Sequence, residues 1–338
     1  MRVISLGSGS SGNALLVEAG PGRRTKVLID AGLKGHLLIE RLRRVGVSPA
    51  QLQGVLLTHE HSDHIVGLPT LMKRYAIPLI ADPRTIEAVH NTFISGTWRT
   101  DSGSLLTRGI EPGTEMELRV VANKVIGEQE NSINGKWQGE IDLREGNHDQ
   151  GDHKGRLYHE TVAFSVGLCR MIGDIEVSSF PVSHDAVAPC GFLLSASGCR
   201  VCVVIDSGEV TPAMLGVINQ ADLLIIESNH DRERLLRGPY PQLLKERILS
   251  PTGHLSNDQA ADAVLRTWRT DSVRWLWLSH LSRTNNTPQL ALNSMRSRIQ
   301  AANANLSQVH ITALPSGLGS VWDSTQLWKS PSLCEMPG

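Results

Sequence analysis

Four residues that can bind metal ions lie close together early in the chain, directly after a short apolar run. The run GVLL leads into THEHSDH, which contains His59, His61, Asp63 and His64. Imidazole and carboxylate groups are ligands that borderline divalent cations such as Zn²⁺, Mn²⁺ and Fe²⁺ accept. One ion would need only two or three of these residues, so the cluster predicts a site for two divalent metal ions.

Three further residues of the same types each follow an apolar run in the second half of the chain. They are His184 after FPVS, Asp206 after VVI and His280 after LWLS. A lone histidine in such a position is more often structural than metal-binding, but beside the first cluster all three become candidate ligands. Asp206, whose short carboxylate follows an apolar strand, is the predicted bridge between the two ions.

The elements around these residues are typical of an α/β fold. Short runs rich in Val, Ile and Leu and bounded by Gly, such as RVISLG and KVLIDAG, predict strands. Apolar residues at helical spacing in HLLIERLRRV and NDQAADAVLRTW predict helices between them. Strands that alternate with helices favour an α/β fold, in which sites lie at the carboxyl ends of the strands.

Residues 94–161 differ in composition from the rest of the chain. They are rich in Gly, Asn, Asp, Glu and Gln and poor in long apolar runs. We therefore predict one domain over residues 1–338, with a polar, partly mobile surface insertion at 94–161. The NHDQGDH motif inside this insertion is interpreted as a solvated loop and not as a third metal site.

The overall composition excludes several classes of protein. The 338-residue chain has 33 Lys and Arg against 34 Asp and Glu, and its formal net charge is −1. This balance excludes a strongly basic, whole-surface nucleic-acid binder and leaves a local basic groove open. No run has the character of a signal peptide or a membrane span, so we expect a cytoplasmic protein without a membrane partner.

The cysteine content is consistent with a reducing compartment. Five cysteines, an odd number, predict no disulfide framework. Cys199 and Cys202, in CRVC, lie in an apolar run, and we expect them to pack in the core without binding zinc or undergoing redox chemistry.

The order HxHxDH, then His, Asp and His at strand ends, resembles the metallo-β-lactamase superfamily of binuclear hydrolases. Within it the chain is most similar to the WalJ/YycJ-type subfamily, through SLGSGSSGNALLVE, LLTHEHSDHIVGL, VIDSGEVT, IIESNHD, GHLSN and LSHLSRTNN. The resemblance implies a metallo-β-lactamase-type αβ/βα four-layer sandwich, with Zn or Mn, or alternatively Fe, at one edge. It assigns one ion to His59, His61 and His184, the other to Asp63, His64 and His280, and the bridge to Asp206.

A glutamate and a histidine between the last two ligands are candidates for proton transfer. In similar transfer-RNA-processing ribonucleases of the superfamily, a Glu–His pair holds a proton donor over the leaving group. The resemblance implies this role for His254, oriented by Glu227, and makes Asp63 and Asp206 catalytic residues as well as ligands. The alternative for His254 is a structural role at the start of the helix near Asn257.

Other polar residues have weaker roles in this prediction. Asp30, in LIDAG, is expected either to orient a ligating histidine or to be an ordinary turn residue. His230 is a second, weaker candidate for the proton donor. Asn285 and Asn286 are expected to hydrogen-bond a phosphate, or else the neighbouring loop.

The resemblance implies a metal-dependent phosphodiester hydrolase, and most specifically an exonuclease with DNA as its substrate. The chemistry agrees with this expectation, because metal binding lowers the pKa of water from about 15.7 to about 7 and so makes hydroxide available at neutral pH. Two ions about 3.5–4 Å apart also neutralise charge on the phosphoryl group and on the leaving oxygen. Protein partners are not indicated by the sequence.

Three alternatives remain at this stage. RNA processing or hydrolysis of a small phosphodiester would use the same site, although the short interval between Asp206 and His280 leaves no room for the large clamp domain of the RNA-cleaving β-CASP branch. A thioester or lactone hydrolase on the same scaffold would need no acid pair. A non-catalytic metal-binding regulator would have lost ligands, and all of them are present.

Overall fold

The computed structural model describes residues 1–99, 105–107, 117–120 and 158–328 of the chain. Most of the strands in this part belong to two large β-sheets. In chain order the strands are β1 (Arg2–Gly7), β2 (Ala14–Ala19), β3 (Thr25–Ile29), β4 (Gly54–Leu56), β5 (Leu79–Ala81), β6 (Thr97–Arg99), β7 (Leu105–Thr107), β8 (Glu117–Val120), β9 (Tyr158–Ala163), β10 (Cys169–Ile172), β11 (Ile175–Pro181), β12 (Cys190–Ala196), β13 (Cys199–Val204), β14 (Leu223–Glu227), β15 (Arg274–Ser279), β16 (Val309–Ala313) and β17 (Val321–Asp323).

The helices of the same described residues connect these strands. They are α1 (Gly35–Arg44), α2 (Ser62–Ile65), α3 (Leu68–Tyr75), α4 (Pro83–Ser95), α5 (Pro212–Ile218), α6 (Arg232–Arg237), α7 (Gln242–Leu249), α8 (Asn257–Arg266) and α9 (Pro288–Ala301). No helix of the described segments is both long and apolar enough to span a membrane.

Both large sheets are mixed. The first has the strand order β17-β1-β2-β3-β4-β5-β9-β8, antiparallel from β17 to β3 and parallel from β3 to β8. The second runs from β10 to β16 in chain order, antiparallel up to β13 and parallel afterwards. Strands β6 and β7 form a separate antiparallel pair.

The two sheets pack face to face, and helices cover their outer faces. Val17 of the first sheet and Phe192 of the second belong to one buried apolar cluster between the sheets. The neighbouring Leu16 packs instead with residues of α1, α3 and α4, and Val204 packs with residues of α5, α8 and α9. Helix, sheet, sheet and helix therefore form four layers, which confirms the predicted αβ/βα sandwich.

The two cysteines of CRVC illustrate this layering. Cys199 lies in the cluster between the sheets, while Cys202 lies in the cluster under α5, α8 and α9. Their side chains point to opposite faces of β13, as the period of two along a strand requires for residues three apart. They cannot form a shared metal site, so the prediction of core packing is confirmed.

Part of the predicted insertion lies outside the described residues, including the whole NHDQGDH motif. Within its bounds, β6 and β7 pair with each other, and β8 and β9 extend the first sheet beyond β5. The extent of the insertion as a unit, and the single domain, stay predictions.

Candidate active site

The parallel strands place the predicted site residues at one edge of the sandwich. Asp30 follows β3, His59 follows β4, and Glu227 is the last residue of β14. Asp206 comes two residues after the end of β13, and His280 comes directly after β15. Because β13, β14 and β15 are parallel and adjacent, their carboxyl ends bring these residues together.

Three of these residues have an unusual backbone conformation. Asp30, Asp206 and His280 have φ values of 58°, 60° and 53°. These values lie in the left-handed region, which residues other than Gly rarely adopt. Such a conformation costs of the order of 1 kcal/mol or more per residue and is retained where the surroundings require it. Here it turns each side chain from the end of its strand into the cluster.

The first group of candidate ligands consists of His59, His61 and His184, all buried. One ring nitrogen of each lies within 4.8 Å of the others, and Nε2 of His184 is 3.2 Å from Nδ1 of His61. The other ring nitrogen of His184 is held 3.1 Å from the carbonyl oxygen of Gly253. Burial lowers the pKa of His61 to about 4 and that of His59 well below its usual range, so both rings are neutral at pH 7 and can bind a cation.

The second group of candidate ligands consists of Asp63, His64 and His280, which lie around Asp206. Its Oδ2 atom lies 2.8 Å from Nε2 of His64 and 3.3 Å from Nε2 of His59. Nε2 of His64 and Nε2 of His280 each lie 3.5 Å from Oδ2 of Asp63. Asp206 thus contacts His59 of the first group and His64 of the second, and this position agrees with its predicted role as the bridge.

The second group combines negatively charged carboxylates with histidines that can carry positive charge. Burial alone would raise the pKa values of Asp63 and Asp206, yet the neighbouring histidines hold both well below the usual range. Burial likewise opposes protonation of His64 and His280, and the surrounding carboxylates overcome this and raise both pKa values. Protonated histidines thus balance the carboxylates, and a divalent cation that binds the neutral rings would supply this positive charge in their place.

Unsatisfied buried atoms show that metal ions fit the site. Among the described residues, Nε2 of His59, Nε2 of His61 and Oδ1 of Asp63 are buried and accept or donate no hydrogen bond. Leaving a buried polar atom without a partner costs about 1–3 kcal/mol. Metal coordination would satisfy all three atoms, and the nitrogen and carboxylate donors suit Zn²⁺, Mn²⁺ or Fe²⁺.

Residues behind the candidate ligands fix their orientation. Oδ2 of Asp30 lies 2.7 Å from Nδ1 of His64, and Oδ1 of Asp30 accepts a 2.9 Å hydrogen bond from the backbone N–H of Thr58. The sequence predicts Asp30 either as an orienting residue or as a turn residue, and the geometry favours the first. This contact directs Nε2 of His64 toward Asp206 and Asp63.

Sequence reasoning missed Asn13. Its Nδ2 atom donates a 3.2 Å hydrogen bond to Asp63 and lies 3.1 Å from Nε2 of His64, while its Oδ1 atom accepts from Gly9 N. The available signal was its place directly after a Gly-Ser loop that follows a buried strand. Asn13 thereby links this loop to the second group.

Glu227 and His254 form a buried pair beside Asp206. Oε1 of Glu227 is 2.7 Å from Nδ1 of His254 and 2.9 Å from Nδ1 of His280, and Oε2 accepts hydrogen bonds from Ser207 N and Leu255 N. Burial opposes ionisation of Glu227, but the charge of His254 and the hydrogen bonds with His254 and His280 lower the pKa of Glu227 below its usual range. The carboxylate is therefore charged and can stabilise a protonated His254.

Helix α8 is capped by another residue, so its start does not depend on His254. The Ser256 side chain accepts a hydrogen bond from Gln259 N and serves as the N-cap. The structural alternative for His254 as a capping residue is thereby weakened.

The weaker candidates are buried behind the site. Asn286 donates through Nδ2 to the carbonyl oxygens of Ser228 and Asn229 and to Oδ1 of Asn257, and therefore binds neighbouring loops and not a phosphate. Asn285 is buried as well. His230 is fully buried, and neither of its ring nitrogens has a hydrogen-bond partner in the described structure.

Comparison with known proteins identifies the family of this chain. The family model for the metallo-beta-lactamase superfamily matches residues 7–164. The exodeoxyribonuclease WalJ of Streptococcus pneumoniae is 32% identical over 297 residues, which cover 88% of this chain and 87% of that protein. The exodeoxyribonuclease YycJ of Bacillus anthracis is 32% identical over 290 residues, 86% of each chain. This chain belongs to the WalJ/YycJ family.

Solved structures share the fold of this WalJ/YycJ-family chain at low sequence identity. The metallo-beta-lactamase fold protein YhfI from Bacillus subtilis aligns with a TM-score of 0.57 at 16% identity, covering 95% of this chain and 99% of its own. The short form of human tRNase Z aligns with a TM-score of 0.52 at 16% identity, covering 96% of this chain and 99% of its own. The predicted family and the predicted fold are both confirmed.

All the residues predicted for the site of this WalJ/YycJ-family chain lie together. The candidate ligands His59, His61, Asp63, His64, His184, Asp206 and His280 are buried in one cluster, with Glu227 and His254 beside them. Superfamily membership and these clusters together support dependence on divalent metal ions. The division of the ligands between two ions and the catalytic roles stay predictions.

Proposed function

We propose that this protein is a metal-dependent phosphodiester hydrolase that degrades DNA as an exonuclease. The observation that carries the proposal is the position of Asp206, whose carboxylate contacts His59 and His64 on one side while the Glu227–His254 pair lies on the other. Oδ1 of Asp206 is 3.7 Å from Nδ1 of His254. A site for two cations and a proton donor are thus adjacent. The exodeoxyribonuclease names of the relatives support DNA as the substrate.

The ligand assignment in this proposal follows the two groups. His59, His61 and His184 would hold one ion, Asp63, His64 and His280 would hold the other, and Asp206 would contribute to both. Two bound divalent ions would lower the pKa of a water molecule and neutralise charge on the phosphoryl group. Zn²⁺, Mn²⁺ and Fe²⁺ all suit these donors.

The protein's own contribution to bond cleavage is proton donation by His254. Because Nδ1 of His254 is held against Glu227, the proton passes from Nε2 to the oxygen that leaves the phosphorus. The Glu227 carboxylate stabilises the protonated imidazole and prevents the ring from turning. Such general acid catalysis contributes typically about 10²–10⁴-fold.

The experiment is degradation of end-labelled substrates by metal-loaded protein, with Asp206→Ala as the control. The substrates are duplex DNA, single-stranded DNA, a precursor transfer RNA, an activated small phosphodiester and a thioester. Stepwise loss of the DNA label that the control lacks would support the proposal and show the direction. Cleavage of the transfer RNA alone would point to RNA processing. Turnover of only the small diester, or of a thioester, would replace the proposal with a small-molecule hydrolase.

A further inference from the structure

The loop between β1 and β2 lies against the end of β15, beside the second group of candidate ligands. It comprises residues 8–13, with the sequence SGSSGN. At its start, the hydroxyl of Ser8 accepts a 2.8 Å hydrogen bond from the backbone N–H of His280. At its end, Asn13 contacts Asp63 and His64. Both ends of the loop are therefore anchored to the site, and its tip at Ser10 and Ser11 is exposed.

The tip of this loop is held by an arginine from the segment that follows His280. Nη2 of Arg283 donates a 2.8 Å hydrogen bond to the hydroxyl of Ser11. Arg283, Ser10 and Ser11 are all exposed, although Ser8, Asn13 and His280 are buried. The guanidinium is thus positioned at the surface, within three residues of a candidate metal ligand.

The charge of Arg283 is not neutralised by the protein. Among the described residues it forms no ion pair with a carboxylate, and its hydrogen-bond partner Ser11 offers a neutral hydroxyl. Arg247, near the first group of ligands, is different, because Asp185 accepts two hydrogen bonds from it at 2.8 and 2.9 Å. Of these two cations, Arg283 is the one available to an anion, and its planar guanidinium suits the oxygen geometry of a phosphate.

Backbone donors at the loop tip add to this positive potential. The N–H groups of Gly9 and Gly12 bind Asn13 Oδ1 and the Gly9 carbonyl, whereas those of Ser10 and Ser11 have no acceptor among the residues the structure describes. Successive N–H groups in a glycine-rich turn form an anion-binding concavity. Gly12 has a φ of 137°, and a Cβ there would lie 2.4 Å from the Gly32 carbonyl oxygen, so the turn requires glycine at this position.

We propose that Ser10, Ser11 and Arg283 form a subsite that binds a phosphate group of the nucleic acid substrate next to the phosphate being cleaved. This inference rests on the proposed function, because it gives the same site a second phosphate contact along the strand. The bound group is either the phosphate monoester at a strand end or an internal phosphodiester. A monoester would let the enzyme recognise an end, which an exonuclease must do.

The test is binding of fluorescein-labelled duplex DNA in EDTA, where no cleavage occurs, measured by anisotropy for Arg283→Gln. Arg296→Gln is the matched control, because Arg296 is an exposed arginine on α9 and its replacement removes the same charge. The duplexes carry a 5′-phosphate, a 3′-phosphate or hydroxyls at both ends. We expect Arg283→Gln to weaken binding about tenfold and to reduce the salt-dependence slope by about one, with Arg296→Gln close to wild type.

The three duplexes distinguish a terminal phosphate monoester from an internal phosphodiester. Weaker binding of only one phosphorylated duplex would assign the subsite to that terminal monoester, and equal weakening of all duplexes would assign it to an internal phosphodiester. If Arg283→Gln binds every duplex as Arg296→Gln does, the subsite is refuted, even if the wild type degrades DNA. If the metal-loaded wild type degrades no DNA and binds no duplex, the proposed function itself fails. Unchanged melting temperature and metal content verify that the variant is folded.

Discussion

Oε1 of Glu227 lies 2.7 Å from Nδ1 of His254, and both side chains are buried beside Asp206. The other carboxylate oxygen is fixed by two backbone N–H groups, so Glu227 cannot move away from the histidine without losing them. A charged, immobile carboxylate is suited to hold one nitrogen of an imidazole while the other nitrogen donates a proton. This pair therefore predicts a specific pattern of kinetic defects.

Replacing His254 should slow the cleavage of DNA far more than the cleavage of an activated diester. A nucleotide leaves as a strongly basic alkoxide unless it is protonated, whereas p-nitrophenolate needs no proton. We expect His254→Ala to lower kcat on DNA about 100-fold or more, with a much smaller loss on bis(p-nitrophenyl) phosphate. Initial rates on both substrates, together with the metal content, check this prediction.

Glu227→Gln serves as the companion variant, because it keeps the shape of Glu227 and removes its charge. It should show the same dependence on the leaving group as His254→Ala, with a smaller effect. Equal losses on both substrates in the two variants, or loss of bound metal, would mean that the pair supports the metal centre and does not donate a proton.

Asp30 should control metal affinity without being a ligand. Its Oδ2 atom lies 2.7 Å from Nδ1 of His64 and so sets the direction of the opposite ring nitrogen. Removing such an orienting carboxylate typically costs about 10- to 100-fold in metal affinity. We expect this loss for Asp30→Asn, measured by competition with a fluorescent zinc chelator. Asp174→Asn is the control, because Asp174 pairs with Arg24 at the opposite end of β2, and it should bind zinc as the wild type does.

The local part of the site could be predicted from the sequence, and the contacts between distant segments could not. His59, His61, Asp63 and His64 are neighbours in the chain, and His184, Asp206 and His280 share the simple property of following an apolar run. Asn13 contacts Asp63 and His64, which lie 50 and 51 positions further along the chain. Nothing in the spacing of SGSSGN indicates that the loop reaches them. Likewise, the pairing of Arg247 with Asp185 depends on where α7 packs, which periodicity alone does not reveal.

Apolar runs, in contrast, are a reliable guide to the core. The cysteines of CRVC were expected in the core because they lie in an apolar run, and the fold places them on opposite faces of β13. The layer order of the sandwich depends on which strands pair across long connections, as with β5 and β9. Family resemblance supplied that order, since hydrophobic patterning identifies strands and does not determine their neighbours.

Gly32 should be essential to the backbone of the site. A Cβ at this position would lie 1.5 Å from the carbonyl oxygen of Asp63 and 2.7 Å from the backbone nitrogen of Asn13. Backbone atoms cannot move aside as a flexible side chain could, so we expect Gly32→Ala to lower the free energy of unfolding by about 3 kcal/mol. Urea denaturation of the metal-free protein measures it.

Gly216→Ala is the control for this variant. Gly216 lies in α5 with open space around its Cβ position, so alanine there should raise the free energy of unfolding by about 0.5–1 kcal/mol. If Gly32→Ala is as stable as the wild type, the backbone at Gly32 can move away from Asp63 and Asn13, and the prediction is wrong.

His230 should make stability depend on pH below neutrality. Burial lowers the pKa of His230 from 6.5 to about 4, and neither ring nitrogen has a hydrogen-bond partner among the described residues. Below pH 6.5 the unfolded chain binds a proton that the folded chain does not accept until about pH 4. The folded state therefore loses stability as the pH falls through this interval, by about 2 kcal/mol between pH 7 and pH 5 from this residue.

The variant His230→Phe keeps a ring in the same space and removes the titration. In urea denaturation with EDTA present, its loss of stability from pH 7 to pH 5 should be smaller than that of the wild type by about 2 kcal/mol. His36→Gln is the matched control, because it replaces an exposed histidine at the start of α1, and this variant should lose as much stability on acidification as the wild type. If His230→Phe loses as much stability on acidification as the wild type, His230 does not cause the pH dependence and the prediction is wrong.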